Sequence, residues 1–423
     1  MNSDKKSICC FLHTNKDLIL LTVLAAAFFF YILNLLGSFE FINSSMFSTG
    51  DSNEYREYSV WIAGNADYCN PARTFFFPFL IMLSFKICGI TGIWLMHFLM
   101  WLAACILIYL TVKKLTVNRW MPFVSMVLAA TSVSLIVYCA HALTEITTFF
   151  LLSLLSFILA GYFKKMNKKW GFSAAVFVVA LLASTKPLFL ILFYFTVIIT
   201  IFVYLKHRIF RLSIFLLLLA ASSPVIIQKW INLTQHGTFS STKIADLNYR
   251  DYFYRKVKFY AEDKTGSDYN FLPDSMHSQM FAAVEKTEKR EITAYLISHP
   301  SSVIRVYSDN IEENFCSGNP YIDKKKNHSL RKWVENTNHN FIFILHLLMT
   351  AVWIFYMLKF IRKRPSEYFT VLFLGMLNFY ILYTSGITYW AGDRLIVPAI
   401  ALWSALYPLL VFLFFKKKNA SVA

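Results

Sequence analysis

An apolar run, LILLTVLAAAFFFYILNLL (Leu18–Leu36), precedes the polar stretch STGDSNEYREYSVWIAGNADYCNPARTFFFPF (Ser48–Phe79). The run carries no charge and is close to the ~20 residues with which a helix crosses a bilayer. The polar stretch concentrates charges in a chain of which only 15% is charged. Its charged residues are Asp51, Glu54, Arg56, Glu57, Asp67 and Arg73. We therefore predict a membrane span followed directly by a functional loop.

Composition extends this prediction to the whole chain. Of 423 residues, 57% are hydrophobic and the mean hydropathy is +0.51, whereas soluble domains are ~45–50% apolar. Apolar runs of span length recur from end to end. The first run has no small-residue cleavage site, so we expect it to be retained as a span. The predicted fold class is all-α, a polytopic transmembrane helical bundle of about ten spans.

The ten predicted spans alternate with charged connections, and the short fifth one leaves nine to eleven open. They are about Leu18–Leu36, Gly92–Val112, Pro122–Cys139, Ile146–Phe163, Phe172–Ala183, Leu188–Leu205, Leu212–Ile227, Phe341–Lys359, Tyr368–Tyr383 and Leu395–Phe415. The apolar stretch Arg73–Gly89 holds Pro78 and Lys86, and we interpret it as a helix lying at the outer interface.

Charge gives this topology its sidedness. The long polar segment (Gln228–Asn340) is nearly balanced, with 16 basic and 14 acidic residues. Outside it, almost every Lys and Arg falls on one predicted face, which is typical of cytoplasmic loops. The formal charge of +17 is thus a positive-inside signature and argues against nucleic-acid binding. Both termini are predicted to be cytoplasmic.

Three regions follow from this topology. Residues 1–227 form an N-terminal transmembrane module with a catalytic first loop (38–90) outside, and 341–423 form C-terminal transmembrane helices. The segment between them has three- and four-residue apolar spacing at Asp274–Ser298 and Pro300–Asn314, which predicts a small helical outer domain.

The seven cysteines show no C-x-x-C spacing typical of metal sites. Cys69 and Cys316 are the only two in predicted outer loops, and we predict that they are close enough to bridge.

Candidate catalytic groups lie near the predicted outer face. Asp51 is a candidate general base, because a carboxylate can take the proton of an acceptor hydroxyl. Alternatively, it caps a helix over Asn53–Ala63. Glu54 and Glu57 lie at i, i+3 and fit a solvated helix face.

Isolated cations at the same boundary are costly unless paired or used. Arg73, Lys186 and Arg394 are such residues, and a guanidinium binds phosphate bidentately. Alternatively, Lys186 and Arg394 extend toward lipid headgroups. His141 and Glu145 lie at i, i+4, a spacing that suits a mutual hydrogen bond as well as a ligand site.

Several short motifs occur in a fixed order and on one predicted side of the membrane. They are Gly50-Asp51-Ser52 followed by Tyr55 and Tyr58, then Pro71-Ala72-Arg73-Thr74, Phe77-Pro78-Phe79-Leu80, Thr144-Glu145, Ser184-Thr185-Lys186-Pro187 and Asp393-Arg394-Leu395-Ile396-Val397-Pro398. In this order they resemble the GT-C glycosyltransferases, specifically bacterial relatives of protein O-mannosyltransferases and aminoarabinose transferases (glycosyltransferase family 39-like). The resemblance covers about Leu18–Phe415.

The resemblance implies transfer of a sugar from a polyprenyl-phosphate-linked donor to an envelope glycan, lipid or protein on the outer face, with inversion. It implies Asp51 as the base and Arg73, Arg394 and Lys186 as donor-phosphate ligands. The other candidate site residues are Glu54, Tyr55, Asp67, His141 and Glu145. The chain departs from relatives in having Phe76-Phe77-Pro78 where they often have Tyr-Pro, and it lacks a recognisable large periplasmic domain.

Such a hexosyl- or pentosyltransferase requires no cofactor, and a divalent metal is neither required nor excluded. Its expected location is a bacterial inner membrane, among membrane lipids. The alternative is a polytopic transporter or flippase of a lipid-linked or small polar substrate. Transporters place ionisable groups near the bilayer midplane and often contain inverted repeats, whereas the acids here lie at the boundary and no repeat is visible.

Overall fold

The computed structural model describes residues 16–164, 168–206, 211–240, 242, 244, 248–262, 269, 280, 287–316, 318–322, 327–362, 368–387 and 392–415. Throughout these ranges the regular structure is helical and contains no strand. The predicted all-α fold class is confirmed.

The described α-helices follow one another in chain order. The α-helices are Lys16–Leu35, Gly50–Ile62, Phe76–Leu115, Trp120–Ala130, Val133–Tyr138, Glu145–Lys164, Lys168–Ala183, Leu190–Lys206, Leu212–Ala221, Ser223–His236, Arg255–Glu262, Lys289–Ser298, Pro300–Cys316, His328–Thr337, Phe343–Phe360, Tyr368–Thr384 and Ile400–Phe415.

Seven of the described helical stretches are long and apolar enough to cross a membrane, which makes the chain an integral membrane protein. They are Lys16–Leu35, Phe76–Leu115, Glu145–Tyr162, Pro187–Lys206, His328–Phe360, Tyr368–Ile387 and Asp393–Phe414. A pair bent by 59°, Leu212–Ala221 with Ser223–His236, makes up to eight.

The predicted third span is not one continuous helix. It stops at Ala130, and a new helix starts at Val133 because the Ser132 side chain accepts a hydrogen bond from the Leu135 amide. Trp120–Ala130 and Gly171–Ala183 remain as shorter apolar helices. A helix cap therefore interrupts the apolar run Pro122–Cys139, which hydropathy alone predicts to be one span.

The bundle is built around its last helix. Most residues of the apolar stretch Asp393–Phe414 are buried, whereas most of those in Lys16–Leu35 are not. Ile400–Phe415 packs against Trp120–Ala130 and Phe76–Leu115, among others. Asp393 and Arg394 lie in the short helical turn Gly392–Leu395 that precedes this helix, where Asp393 is buried and the Arg394 side chain is 14% exposed.

The long helix Phe76–Leu115 is kinked near its middle. Cys88 and Gly89 have non-helical backbone, and Gly89 has a φ of +61° in the left-handed region that favours glycine. At Gly92 a Cβ would lie 2.2 Å from the Ser84 carbonyl oxygen. The helix axis therefore changes direction at Cys88 and Gly89. This kink coincides with the predicted boundary between the stretch Arg73–Gly89 and the span Gly92–Val112.

In the long polar segment, the helix Pro300–Cys316 contains the predicted Pro300–Asn314, with proline in its first turn. Lys289–Ser298 matches the end of the predicted Asp274–Ser298 helix; nearly all of the earlier part lies outside the described residues.

Two polar side chains of the helix Pro300–Cys316 form hydrogen bonds with the end of the helix Tyr368–Thr384 and with the turn that follows it. Tyr307 donates to the Tyr383 carbonyl at 2.6 Å, and Asn310 donates to the Gly386 carbonyl at 3.0 Å. The long polar segment is thereby joined to the chain that leads into the last helix.

The predicted bridge between Cys69 and Cys316 is wrong. Both cysteines are free, Cys69 is buried beside Tyr58, and Cys316 lies at the end of a helix against the main core. Each thiol belongs to a separate packing environment, and burial raises the pKa of Cys69 to about 11.

Candidate functional site

A capped helix presents Asp51. Thr49 is the N-cap of Gly50–Ile62, and its hydroxyl accepts from the Ser52 amide at 3.0 Å while Ser52 accepts from the Thr49 amide. Asp51 lies in the first turn. The alternative that Asp51 caps a helix over Asn53–Ala63 is therefore wrong, and its carboxylate is available for other partners.

Arg73 reaches back from the following loop to this helix. Its guanidinium donates to Asp51 and, through Nε, to Glu54 at 2.5 Å. The guanidinium also lies 5.1 Å from the centre of the buried Tyr55 ring. Three neighbouring side chains of the first loop thus fix one arginine.

Two distant contacts hold the loop that carries Arg73. The Phe75 amide donates to the side chain of the buried Gln228, and Thr242 donates to the Ala72 carbonyl at 2.8 Å. Arg73 is therefore placed by the start of the long polar segment as well as by its own loop.

Glu145 gathers two further cations. Its Oε1 accepts from Lys186 Nζ at 2.9 Å and from Arg394 Nε at 2.6 Å. Arg394 also donates through Nη1 to Asp51. A single guanidinium thus connects a carboxylate near residue 50 with one near residue 145.

Together these six residues form the charge cluster: Asp51, Glu54, Arg73, Glu145, Lys186 and Arg394. Three acids face three cations. The side chain of Glu145 is 0% exposed, whereas those of Asp51 and Glu54 are 32% and 36% exposed. The charge cluster is most exposed to solvent on its Asp51–Glu54 side.

Helix N-termini meet at the charge cluster. Asp51 lies in the first turn of one helix, Glu145 begins another, and Lys186 immediately precedes the short helix that starts at Pro187. Hydrogen bonds from Thr74 Oγ1 to the Thr185 carbonyl and from the Phe76 amide to the Ser184 carbonyl join the start of a further helix to this group. Helix N-termini carry partial positive charge, which favours an anionic ligand.

Asp393 fixes the backbone next to Arg394. It accepts from Ser134 and, at 2.8 Å, from the Tyr138 hydroxyl. Sequence analysis placed Asp393 in a motif but did not find these partners, because both lie within an apolar stretch.

The neighbouring arginines of the charge cluster determine the pKa of Asp51. Burial raises the pKa of Asp51, but Arg394 and Arg73 outweigh that effect and lower it to about 2. Burial lowers the pKa of Lys186, and the neighbouring Glu145 only partly opposes it. Asp51 is therefore a carboxylate at neutral pH whose charge is already compensated by arginine.

The remaining predicted residues divide between the charge cluster and its surroundings. Tyr55 supports Arg73, and His141 is buried with its ring 4.4 Å from that of Tyr321. Asp67 lies outside the charge cluster: it is exposed in the loop after Ile62 and, among the described residues, forms no ion pair with the three cations.

Sequence analysis missed Tyr321. Its ring contacts His141 and its hydroxyl lies beside the side chain of Thr49. No periodic pattern or charge marked it, because it lies in a short turn of the long polar segment.

Among the described residues, no group of three or more His, Cys, Asp and Glu side chains is arranged to hold a metal ion. The site consists instead of guanidinium, ammonium and carboxylate groups. Comparison of the chain with protein-family models, curated proteins and solved structures found no match.

Proposed function

We propose that the protein is a membrane glycosyltransferase that moves a sugar from a polyprenyl-phosphate-linked donor to an envelope glycan, lipid or protein, with inversion. One observation carries the proposal: Asp51 is bound by two guanidiniums that come from opposite ends of the chain. Such an arrangement suits a reaction that needs a base beside a departing phosphate.

Arg73 and Arg394 have the chemistry to bind that phosphate. Guanidinium forks match phosphate oxygens, and charge-assisted hydrogen bonds of this kind are about twice as strong as neutral ones. The donor's lipid chain would lie along the apolar surface beside Arg73. There the half-buried Phe75 stacks on Phe79 with ring centres 5.5 Å apart.

Donor binding would also activate Asp51. In the free protein its Oδ1 accepts from Arg73 and its Oδ2 from Arg394, and a carboxylate with a pKa of about 2 is a weak base. A phosphate that takes over these guanidiniums frees the carboxylate, and the pKa of Asp51 rises toward its ordinary value. The base is thereby activated only when the donor is present.

The chemical step is a single displacement. The acceptor hydroxyl oxygen attacks the anomeric carbon from the face opposite the phosphate, and its proton passes to Asp51. The bond between the anomeric carbon and the phosphate oxygen breaks, and its electron pair leaves on polyprenyl phosphate. Arg73 and Arg394 stabilise the developing charge, while Lys186 acts through Glu145.

The finer topology belongs to the same proposal. Ten crossings of a bacterial inner membrane would require that the two shorter apolar helices cross it as well as the seven long helices and the bent pair. The first loop (38–90) and the long polar segment, as a helical domain, would face outward. The termini would be cytoplasmic; residues 1–15 and 416–423 lie outside those described.

Mass spectrometry of envelope glycans from cells that lack the gene tests this proposal. We expect one sugar substituent to disappear, to return with the wild-type chain, and to stay absent with Asp51→Asn expressed at the same level. An unchanged glycan, lipid and protein profile in the deletion strain would contradict the proposed function.

A further inference from the structure

Tyr321 connects three parts of the chain that carry the charge cluster. Its ring centre lies 4.4 Å from that of His141 and 5.7 Å from that of Tyr138, edge to face. Its hydroxyl lies beside the side chain of Thr49. Each of these three residues is adjacent in structure to a charged group that the proposed reaction uses.

These neighbours act on the charge cluster in different ways. Thr49 caps the helix whose first turn presents Asp51. Tyr138 donates to Asp393, which precedes Arg394. His141 lies four residues before Glu145, in the non-helical turn that leads into the Glu145 helix. The Tyr321 ring therefore packs against residues that lie next to Asp51, Arg394 and Glu145 in the structure or the sequence.

The turn that carries Tyr321 is itself held firmly. Asn319 is buried, and its side chain accepts from the Tyr321 amide at 2.9 Å. Arg331 donates to the Ile322 carbonyl at 3.2 Å and pairs with Glu335 at 2.9 Å. At Gly318 a Cβ would lie 2.4 Å from Glu335. These contacts fix the position of the turn in the long polar segment that carries Tyr321.

We propose that Tyr321 is a positioning residue: its ring keeps the Asp51 helix, the Tyr138–Glu145 turn and Arg394 in register for sugar transfer. The inference rests on the proposed function and adds to it a role for the long polar segment. Tyr321 would act through Thr49, Tyr138 and His141. Phosphate binding by the arginines would not require it.

The variants separate the ring from the hydroxyl. Tyr321→Ala removes both, Tyr321→Leu keeps bulk without the flat ring if the alanine variant fails to fold, and Tyr321→Phe removes only the hydroxyl. Tyr295→Ala is the matched control, since it deletes another tyrosine of the long polar segment that stacks on a histidine, His299, at 4.1 Å.

Two readouts are needed for each variant. Sugar transfer is measured in membrane vesicles from cells that lack the gene, and binding of farnesyl phosphate to the purified protein in detergent is measured by tryptophan fluorescence. For Tyr321→Ala or Tyr321→Leu we expect transfer to fall about 10- to 100-fold, as misplacement of a reacting group does. Farnesyl phosphate affinity should stay within about threefold, and Tyr321→Phe should transfer within about threefold of wild type.

Several results would overturn the inference. Wild-type transfer by Tyr321→Ala and Tyr321→Leu would remove the role, as would equal losses in Tyr295→Ala. A parallel loss of farnesyl phosphate binding would show that Tyr321 is merely structural. If the wild-type protein neither transfers sugar nor binds farnesyl phosphate, the proposed function itself fails and the inference fails with it.

Discussion

The charge cluster has an inner and an outer half that differ in their access to solvent. In the inner half the side chain of Glu145 is fully buried between Lys186 and Arg394, which are 17% and 14% exposed. In the outer half Asp51 and Glu54 are about one third exposed around Arg73. A buried ion pair is costly to break, whereas an exposed one exchanges readily with water and ligands.

This difference assigns separate tasks to the two halves. The inner half fixes Arg394 from behind, since its Nε is bound to Glu145 while its Nη1 extends to Asp51. The outer half holds the groups that a donor would displace. Four substitutions test whether the inner half is structural and the outer half binds the donor, and their expected effects decrease from Asp51→Asn to Glu54→Gln.

Asp51→Asn removes the only charge in the outer half that both arginines share. General-base catalysis contributes about 10²–10⁴-fold, so transfer in vesicles should fall by that factor. Asp67→Asn is the matched control, because Asp67 is an exposed acid of the same loop. Equal rates for the two variants would remove Asp51 from the chemical step.

Arg394→Gln breaks the connection between the halves. Removing one donor that stabilises developing charge costs about 10²–10³-fold in rate, and we expect transfer to fall in that range. Arg56→Gln, which alters an exposed arginine on the Asp51 helix, should leave the rate unchanged. A normal rate in Arg394→Gln would mean that Arg73 alone suffices for the leaving phosphate.

Glu145→Gln tests the inner half through stability. Two cations would then share one neutral amide, and a hydrogen bond to a charged group contributes about 1.5–3 kcal/mol. We expect the free energy of unfolding to fall by about that amount, measured as a lower melting temperature in detergent. Glu57→Gln, at an exposed residue of the first loop that binds Asn53, should melt like the wild type. Equal melting of the two variants would refute a structural inner half.

Glu54→Gln gives the smallest expected change. An exposed ion pair contributes about 0–1 kcal/mol, so the melting temperature should barely move. In this variant one carboxylate fewer competes for Arg73. Farnesyl phosphate should therefore bind up to about threefold more tightly, a change that corresponds to the energy of one exposed ion pair. Weaker binding in titrations followed by tryptophan fluorescence would show that Glu54 helps the ligand rather than competing with it.

The sequence allowed the meeting of distant charges to be predicted. Charges at the membrane boundary are costly unless paired or used, and the family resemblance assigned Asp51, Arg73 and Arg394 to one site. The hydrogen bonds confirm that these residues meet. Their catalytic roles stay predictions.

Other features depended on local competition that a residue pattern does not record. Thr49 rather than Asp51 caps the helix, and Ser132 starts a new helix inside an apolar run. Tyr321 reaches the site from a turn with neither periodicity nor charge. Each outcome is decided by individual side-chain contacts, which hydropathy and charge counts average away.

Arg73 and Arg394 hold Asp51 in the free protein, and we expect the same two cations to bind the donor phosphate in the complex. Cryo-electron microscopy of the protein with farnesyl phosphate tests this claim most directly. We expect the phosphate oxygens to lie within hydrogen-bond distance of Arg73 and Arg394, with Asp51 released from at least one of them. A phosphate bound elsewhere, with both arginines still on Asp51, would contradict the claim.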